Sequence, residues 1–129
     1  MNIEELREFC LSMPAVTEDI KWEEHLAFSV GGKIFCLTNL DPPLKVVLKV
    51  PEDQFDELTE SDEIIQASHF ARRQWMAVTV ESRFSRTEWE HYLIQSYNLV
   101  KSKLTKTARK SIEILQAGTI HENHQGEDI

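Results

Sequence analysis

A pair of adjacent glycines constrains the fold of this chain more than any other feature. Gly31-Gly32 stands between two short runs, 26–30 and 33–37, in which apolar residues alternate with others. Both glycines take positive φ without strain, as a two-residue hairpin turn requires. The pattern predicts a β-hairpin across residues 26–37. With no third glycine and no following Lys-Ser or Lys-Thr pair, the turn is not typical of a phosphate-binding loop.

The register of this hairpin determines which side chains share a face of the sheet. A two-residue turn gives the expected cross-strand pairs Val30 with Lys33, Phe28 with Phe35, and Leu26 with Leu37. The predicted core face then carries Leu26, Phe28, Phe35 and Leu37. The predicted opposite face carries the smaller side chains Ala27, Ser29, Ile34 and Cys36.

Helical patterns appear in four further stretches. Residues 3–13 form an amphipathic pattern after the N-cap candidate Asn2, and Glu5 completes a capping box. Pro51 precedes a short acidic helix, whose carboxylates are best explained as a solvated face. Ser85 and Glu88 form the capping box of a long helix. Its predicted buried stripe is Trp89, Leu93, Ser96, Tyr97, Val100 and Leu104. A last helix is predicted from Thr105, with Ala108, Ile112 and Leu115 as its apolar side.

Two more strands complete the predicted sheet. Residues 45–50 alternate with one face expected to be buried, and residues 75–80 place Met76, Val78 and Val80 on one face. Residues 17–24 are polar and are expected to connect the first helix to the hairpin. The order helix, three strands, helix, one or more strands, helix predicts a single α+β domain over residues 1–118. Its antiparallel sheet is expected to carry the helices on one side, and residues 119–129 are expected to form a polar tail.

Charge is distributed unevenly along the 129 residues. The formal net charge is −8, with −10 over residues 1–66 and +5 over residues 67–118. The overall charge disfavours plain electrostatic binding to nucleic acid or membranes, but the second half is basic. No apolar run is long enough for a membrane span, and the N-terminus lacks a secretory signal. We therefore expect a cytoplasmic protein with no membrane partner, in which Cys10 and Cys36 are buried and reduced.

Short matches spread along the chain resemble one known family. They are Leu11-Ser12-Met13-Pro14, Val16-Thr17-Glu18-Asp19, Phe28, Gly31-Gly32-Lys33, Phe35, Leu48-Lys49-Val50, His69, Arg72, Trp75, Ser96-Tyr97-Asn98-Leu99-Val100 and Lys103-Leu104. Together and in this order they resemble the MmcQ/YjbR family of small bacterial proteins over roughly residues 1–112. Ala71 stands where such proteins usually carry asparagine. The resemblance implies an α/β fold of the type shared with type III secretion chaperones, a DNA-binding role, and no catalytic residues.

Candidate binding residues cluster around the fourth predicted strand. They are His69, Arg72, Arg73, Trp75, Arg83 and Arg86, to which the run from Lys101 to Lys110 adds further positive charge. Arginines beside an exposed tryptophan can hold phosphates while the ring stacks on a base. The same arginines can instead form ion pairs with the acidic first half of the chain. His69 is open to three interpretations, as a general base, a ligand or a structural histidine.

No pattern in the sequence indicates an enzyme, a metal site or a cofactor. His69 has no Ser or Cys nucleophile motif beside it, and His121 and His124 lack the Cys or carboxylate neighbours of a zinc site. We therefore expect a non-enzymatic binding module. The hypotheses are DNA binding through the basic second half, an acidic protein-interaction or chaperone-like adaptor, and a small-molecule binder near His69, Arg72 and Trp75. The oligomeric state is not indicated.

Overall fold

A six-stranded antiparallel sheet organises the chain, for which a computed structural model describes residues 1–113. Its strands are β1 Val16–Lys21, β2 His25–Val30, β3 Lys33–Asn39, β4 Val46–Lys49, β5 Ile64–Gln66 and β6 Trp75–Val78. Their order across the sheet is β1-β2-β3-β4-β6-β5. The helices are α1 Ile3–Ser12, α2 Glu52–Leu58 and α3 Arg86–Ser102, and residues 106–113 are also helical. The predicted α+β class is confirmed.

Both predicted capping boxes are present. At the start of α1, the Asn2 side chain accepts the Glu5 N–H at 2.8 Å, and the Glu5 carboxylate accepts the Asn2 N–H at 3.0 Å. Ser85 and Glu88 make the same reciprocal pair at the start of α3. Each box satisfies N–H groups that have no partner inside the helix, so these local sequences fix where the helices begin.

The prediction that residues 17–24 form a polar connector is wrong. Residues Val16–Lys21 form β1, which pairs with β2 along its whole length. The strand is an edge of the sheet, where polar side chains remain in water and the apolar alternation is weak. Glu18 is held by Arg7 of α1 through two hydrogen bonds. A local hydropathy pattern cannot predict this contact between a helix and a strand.

The register of the hairpin differs from the prediction beyond its first pair. Val30 pairs with Lys33 as expected, but Phe28 pairs with Cys36 because the register shifts next to Ser29. Phe35 is the extra residue of this bulge, so every later residue of β3 is displaced by one position. Leu37 therefore lies on the opposite face from the predicted one, where it packs with Ala27, Val47, Ala67 and Ala77.

The two faces of the sheet are covered differently. The helices pack on one face, as predicted, around a core that includes Phe28, Leu48, Met76 and Trp89. The other face, here called the open face, carries a small apolar cluster with Phe70 packed against it. Strand β4 is consequently buried on both sides rather than on one, since Val46, Val47 and Leu48 are all buried. The segment that joins β5 to β6 provides this second covering.

The C-terminal region follows the prediction as far as it is described. Leu104 and Ile112 are buried in the main core, and Ala108 packs against it. Leu115, the boundary at residue 118 and the polar tail from 119 to 129 lie outside the described residues. Within residues 1–113, no helix has the length and apolar character needed to cross a membrane. Cys10 and Cys36 are buried free thiols, as expected, and burial raises the pKa of Cys36 well above its ordinary value.

The two hairpin glycines allow a direct test of the turn. Gly31 has φ +58° and Gly32 has φ +79°, so alanine at either position is strained. A Cβ at Gly31 would lie 2.6 Å from Leu104 Cδ1, whereas one at Gly32 would meet open space. We expect Gly32→Ala to lower the free energy of unfolding by about 1 kcal/mol. Gly31→Ala is expected to lower it by about 1 kcal/mol more than Gly32→Ala does. Urea unfolding of both variants measures this, and equal losses would contradict the close packing of Leu104.

Candidate functional site

The loop between β5 and β6, residues 67–74, contains three of the predicted binding residues, His69, Arg72 and Arg73. Gln66 holds it from within, because its side-chain amide donates to the carbonyls of Ala67, Phe70 and Ala71 at 2.8, 3.3 and 3.4 Å. The Gln66 Oε1 atom accepts the N–H of Arg73 at 2.9 Å. One side chain thus fixes the loop, and the loop places Phe70 over the sheet.

Arg73, a predicted binding residue, anchors this loop to α2. Its guanidinium lies 2.9 Å from an Asp56 oxygen and 3.5 Å from a Glu52 oxygen. These contacts balance its charge within the protein. Such exposed pairs typically contribute less than about 1 kcal/mol each, so their main effect here is on the position of the loop.

Arg83 and Arg86 lie in a different group of ion pairs. Arg83 is 3.5 Å from Glu63, and Arg86 bridges Glu5 at 3.2 Å and Glu90 at 3.1 Å. The structure therefore does not bring these two arginines together with Trp75. Their charges are matched by acids from the first half of the chain and from α3.

The remaining predicted residues lie close to the loop. Arg72 is exposed and has no carboxylate within 4 Å among residues 1–113. His69 and Trp75 lie on either side of Phe70 and line two different clefts. The predicted set thus separates into a loop anchor (Arg73), an exposed arginine of the loop (Arg72), a distant pair of arginines, and two residues on two clefts that Phe70 divides.

The first of these, here called the lysine cleft, lies between the hairpin turn, the end of α3 and the loop. It has a volume of about 410 Å³. The residues that matter for its chemistry are Lys33, Lys49, Phe70, Trp75, Lys103 and Leu104. Three lysines line it, and among the described residues no aspartate or glutamate does. Lys33 begins β3, Lys49 ends β4 and Lys103 follows α3, so folding brings together cations that are far apart in the sequence.

Aromatic rings form one wall of the lysine cleft. The rings of Phe70 and Trp75 are 4.8 Å apart at their centroids and tilted by 41°. The Lys49 ammonium lies 5.8 Å from the centroid of the Trp75 ring. Burial lowers the pKa of Lys49, and the nearby charge of Lys103 lowers it further. The cleft therefore holds neighbouring cations whose repulsion a bound anion would relieve.

Ser96 of α3 positions the strand that carries Lys49. Its hydroxyl accepts the Lys49 N–H at 2.9 Å and donates to the Phe35 carbonyl at 2.5 Å. The side chain is fully buried, as the helical periodicity predicts. Tyr97, its neighbour on the same stripe, donates its hydroxyl to the Pro14 carbonyl at 2.7 Å. The helix thus fixes β3, β4 and the end of α1 relative to one another.

The second cleft, here called the histidine cleft, lies on the other side of Phe70. Its volume is about 560 Å³. The residues used below are Trp22, His25, Leu37, Lys45, Val47 and His69. Trp22 and His69 both have positive φ, at 52° and 69°, which is uncommon for residues other than glycine. The histidine cleft uses the open face of the sheet as its floor, through Leu37 and Val47.

Sequence reasoning found Trp75 and His69 and included Lys103 in the basic run from Lys101 to Lys110, but it assigned no binding role to Lys33 or Lys49 and missed the Trp22 wall. Each of the three lysines belongs to a short stretch of the family resemblance, but no local pattern shows that they converge, because the start of β3, β4 and the end of α3 meet only after folding. Trp22 belongs to the segment that was predicted to be a connector. Within residues 1–113 no three His, Cys, Asp or Glu side chains are grouped as metal ligands, and His121 and His124 lie outside that range.

Comparison with known proteins agrees with this architecture. The YjbR family's sequence model matches residues 11–99. The structure of protein DR2400 from Deinococcus radiodurans, which has the family-model domain DUF419, is similar at a TM-score of 0.79 and 28% identity, over 87% of this chain and 88% of that one. A Pseudomonas syringae protein shares the fold at a TM-score of 0.66 and 17% identity, over 78% and 99%. A search of the curated proteins finds no match. Since the family model matches more than half of its length, the chain belongs to the YjbR family.

Proposed function

We propose that this chain is a non-enzymatic nucleic-acid-binding module that holds single-stranded DNA in the lysine cleft. The observation that carries the proposal is the convergence of Lys33, Lys49 and Lys103 beside Trp75, with no carboxylate among the described lining residues. Lysines contact phosphates, and an aromatic ring stacks on an unpaired base. The cleft offers both chemistries within one volume.

The electrostatics of the lysine cleft support an anionic occupant. The lowered pKa of Lys49 reflects burial and the proximity of Lys103. An anion between the two ammonium groups favours their charged forms, so phosphate binding is expected to raise the pKa of Lys49. The protein's net charge of −8 limits long-range attraction. Binding is therefore expected to be weak, in the roughly 1–100 µM range of nonspecific complexes, and sensitive to salt.

An unpaired strand suits the cleft better than a duplex. The Phe70 and Trp75 rings form part of a concave lining of about 410 Å³, and a base can reach them only when it is not stacked in a helix. The lining residues are a glycine, lysines, aromatics and aliphatics, whose expected roles are phosphate contact, base stacking and apolar packing. The proposal therefore assigns binding without catalysis.

The adaptor hypothesis has less support from the described surface. Its exposed large apolar side chains are Leu11, Ile20, Trp22, Ile65 and Ile94. They are spread over α1, the β1 end of the sheet, the opposite edge strand β5, and α3. A docking surface for a protein partner typically needs such side chains to be contiguous. This distribution favours the lysine cleft as the functional surface.

The proposal is tested by removing two charges in two different places. Fluorescence anisotropy of a labelled oligothymidylate at about 50 mM salt gives the dissociation constant. We expect Lys49→Gln with Lys103→Gln to weaken binding about tenfold and to reduce the slope of log K against log salt by about 1.4, because each phosphate contact on a single strand contributes about 0.7.

The matched control is Arg83→Gln with Arg86→Gln, which removes the same charge from arginines that are already ion-paired. This variant is expected to change the dissociation constant less than about twofold. Equal losses in the two double variants would show that only net charge matters. Absence of binding by the unmodified chain at low salt would refute the proposal.

A further inference from the structure

The histidine cleft has the size and lining of a small-molecule site. Its volume of about 560 Å³ lies within the roughly 300–1,000 Å³ that such sites occupy. Leu37 and Val47 supply an apolar floor from adjacent strands, and Phe70 and Trp22 line its sides. Trp22 is 68% exposed. Its ring nevertheless contacts the edge of His25, with centroids 5.9 Å apart at 82°, so an open aromatic wall stands over the floor.

The polar groups of the histidine cleft are few and defined. Asn39 is already engaged, because its amide donates to the carbonyls of Asp41 and Pro43 at 2.7 and 2.8 Å and accepts the Lys45 N–H at 2.8 Å. Asn39 therefore fixes the point from which Lys45 projects. The Lys45 ammonium forms no ion pair with the described residues, and no other lysine, arginine, aspartate or glutamate is among the described residues that line the cleft.

His25 contributes a directional hydrogen-bonding group. Its Nδ1 atom is buried and has no partner. The ring therefore offers an unsatisfied polar atom beside the cleft. The cleft thus combines one lysine, the imidazoles of His25 and His69 and the Ser68 hydroxyl with an apolar, aromatic surface, and none of its described lining residues is acidic.

We infer that the histidine cleft binds a small planar aromatic carboxylate. The ring of the ligand lies on Leu37 and Val47 beside Trp22, and its carboxylate faces Lys45, with the His25 imidazole as a second polar group nearby. Glu23, Glu24 and Asp41 line the neighbouring shallow groove. These acids disfavour an anion on that side, so the carboxylate lies over the cleft itself. This site is separate from the lysine cleft and does not depend on nucleic-acid binding.

The test compares two probes that differ only in charge. Isothermal titration with 2-naphthoate and with its neutral isostere 2-naphthamide measures affinity, and methyl NMR of Leu37 and Val47 locates the bound probe. We expect naphthoate to bind at least about fivefold more tightly than naphthamide, since hydrogen bonds to a charged group are stronger than those to a neutral one. Lys45→Met is expected to remove this preference and leave naphthamide binding unchanged.

The control variant is Lys21→Met, which removes an exposed lysine of β1 that pairs with Asp19 outside the cleft. It is expected to keep the preference for naphthoate. Circular dichroism verifies that both variants fold, and both positions are on the surface, so folding is expected. Equal affinities for the two probes, loss of the preference in Lys21→Met, retention of it in Lys45→Met, or an absence of shifts at Leu37 and Val47 would each overturn the inference.

Discussion

Ser96→Ala is expected to lower the free energy of unfolding by about 2–4 kcal/mol, because it leaves two buried backbone groups without partners. The Ser96 hydroxyl satisfies the Lys49 N–H on β4 and the Phe35 carbonyl on β3. Phe35 is the extra residue of the bulge, so β4 does not pair with it. Ser96 is fully buried, so loss of its hydroxyl leaves each of the two backbone groups to bear its own desolvation cost.

The matched control for Ser96→Ala lies on the same helix. Ser102 is exposed and donates to the Leu99 carbonyl within α3. Ser102→Ala keeps the chemical change and removes no tertiary contact, so it is expected to change stability by less than about 0.5 kcal/mol. Urea unfolding of both variants measures the difference. A loss below about 1 kcal/mol for Ser96→Ala would show that the two strands do not depend on the bridging hydroxyl.

Replacing Trp75 with leucine is expected to weaken oligothymidylate binding about 10- to 100-fold, because aromatic stacking contributes roughly 1–3 kcal/mol per base. Trp75 lies against Phe70, with the Lys49 ammonium over its ring. Leucine keeps an apolar side chain at the first position of β6 but has no aromatic face on which a base can stack. Anisotropy titration at the salt concentration used for the lysine variants provides the measurement.

Trp75→Phe serves as the conservative partner of this substitution. It is expected to retain most of the affinity because an aromatic face remains beside the lysines. Trp75 is partly buried, so thermal unfolding of both variants is measured first, and binding is compared where each is fully folded. Equal weakening in the phenylalanine and leucine variants would show that an aromatic ring at this position does not contribute to binding. Unchanged binding in both would remove Trp75 from the proposed site.

One loop, between β5 and β6, contributes to the lining of both clefts. Phe70 lines both of them. Its backbone is held by Gln66, and the loop is tied to α2 through Arg73 and Asp56. Arg73 was predicted from its charge to contact a ligand. In the folded chain its contacts instead hold the wall that separates two candidate sites.

Some elements follow from short stretches of sequence because their signals are local. The capping boxes of Asn2 with Glu5 and Ser85 with Glu88 define the starts of α1 and α3 within three residues. The double glycine defines the hairpin turn, since positive φ is a property of the residues themselves. The buried stripe of α3 follows from its periodicity. The family resemblance, carried by residues along most of the chain, is confirmed over residues 11–99.

Local sequence therefore determined the helix starts, the turn and the fold class, because hydrogen bonding and periodicity within a few residues encode them. Tertiary structure alone decided the bulge at Phe35, the edge strand β1 and the convergence of Lys33, Lys49 and Lys103. These features depend on contacts between segments far apart in the chain. The sequence shows which residues are charged, but it does not show which charged groups become neighbours. Arg73 meets a carboxylate and Lys49 meets another lysine only because the strands and helices pack together.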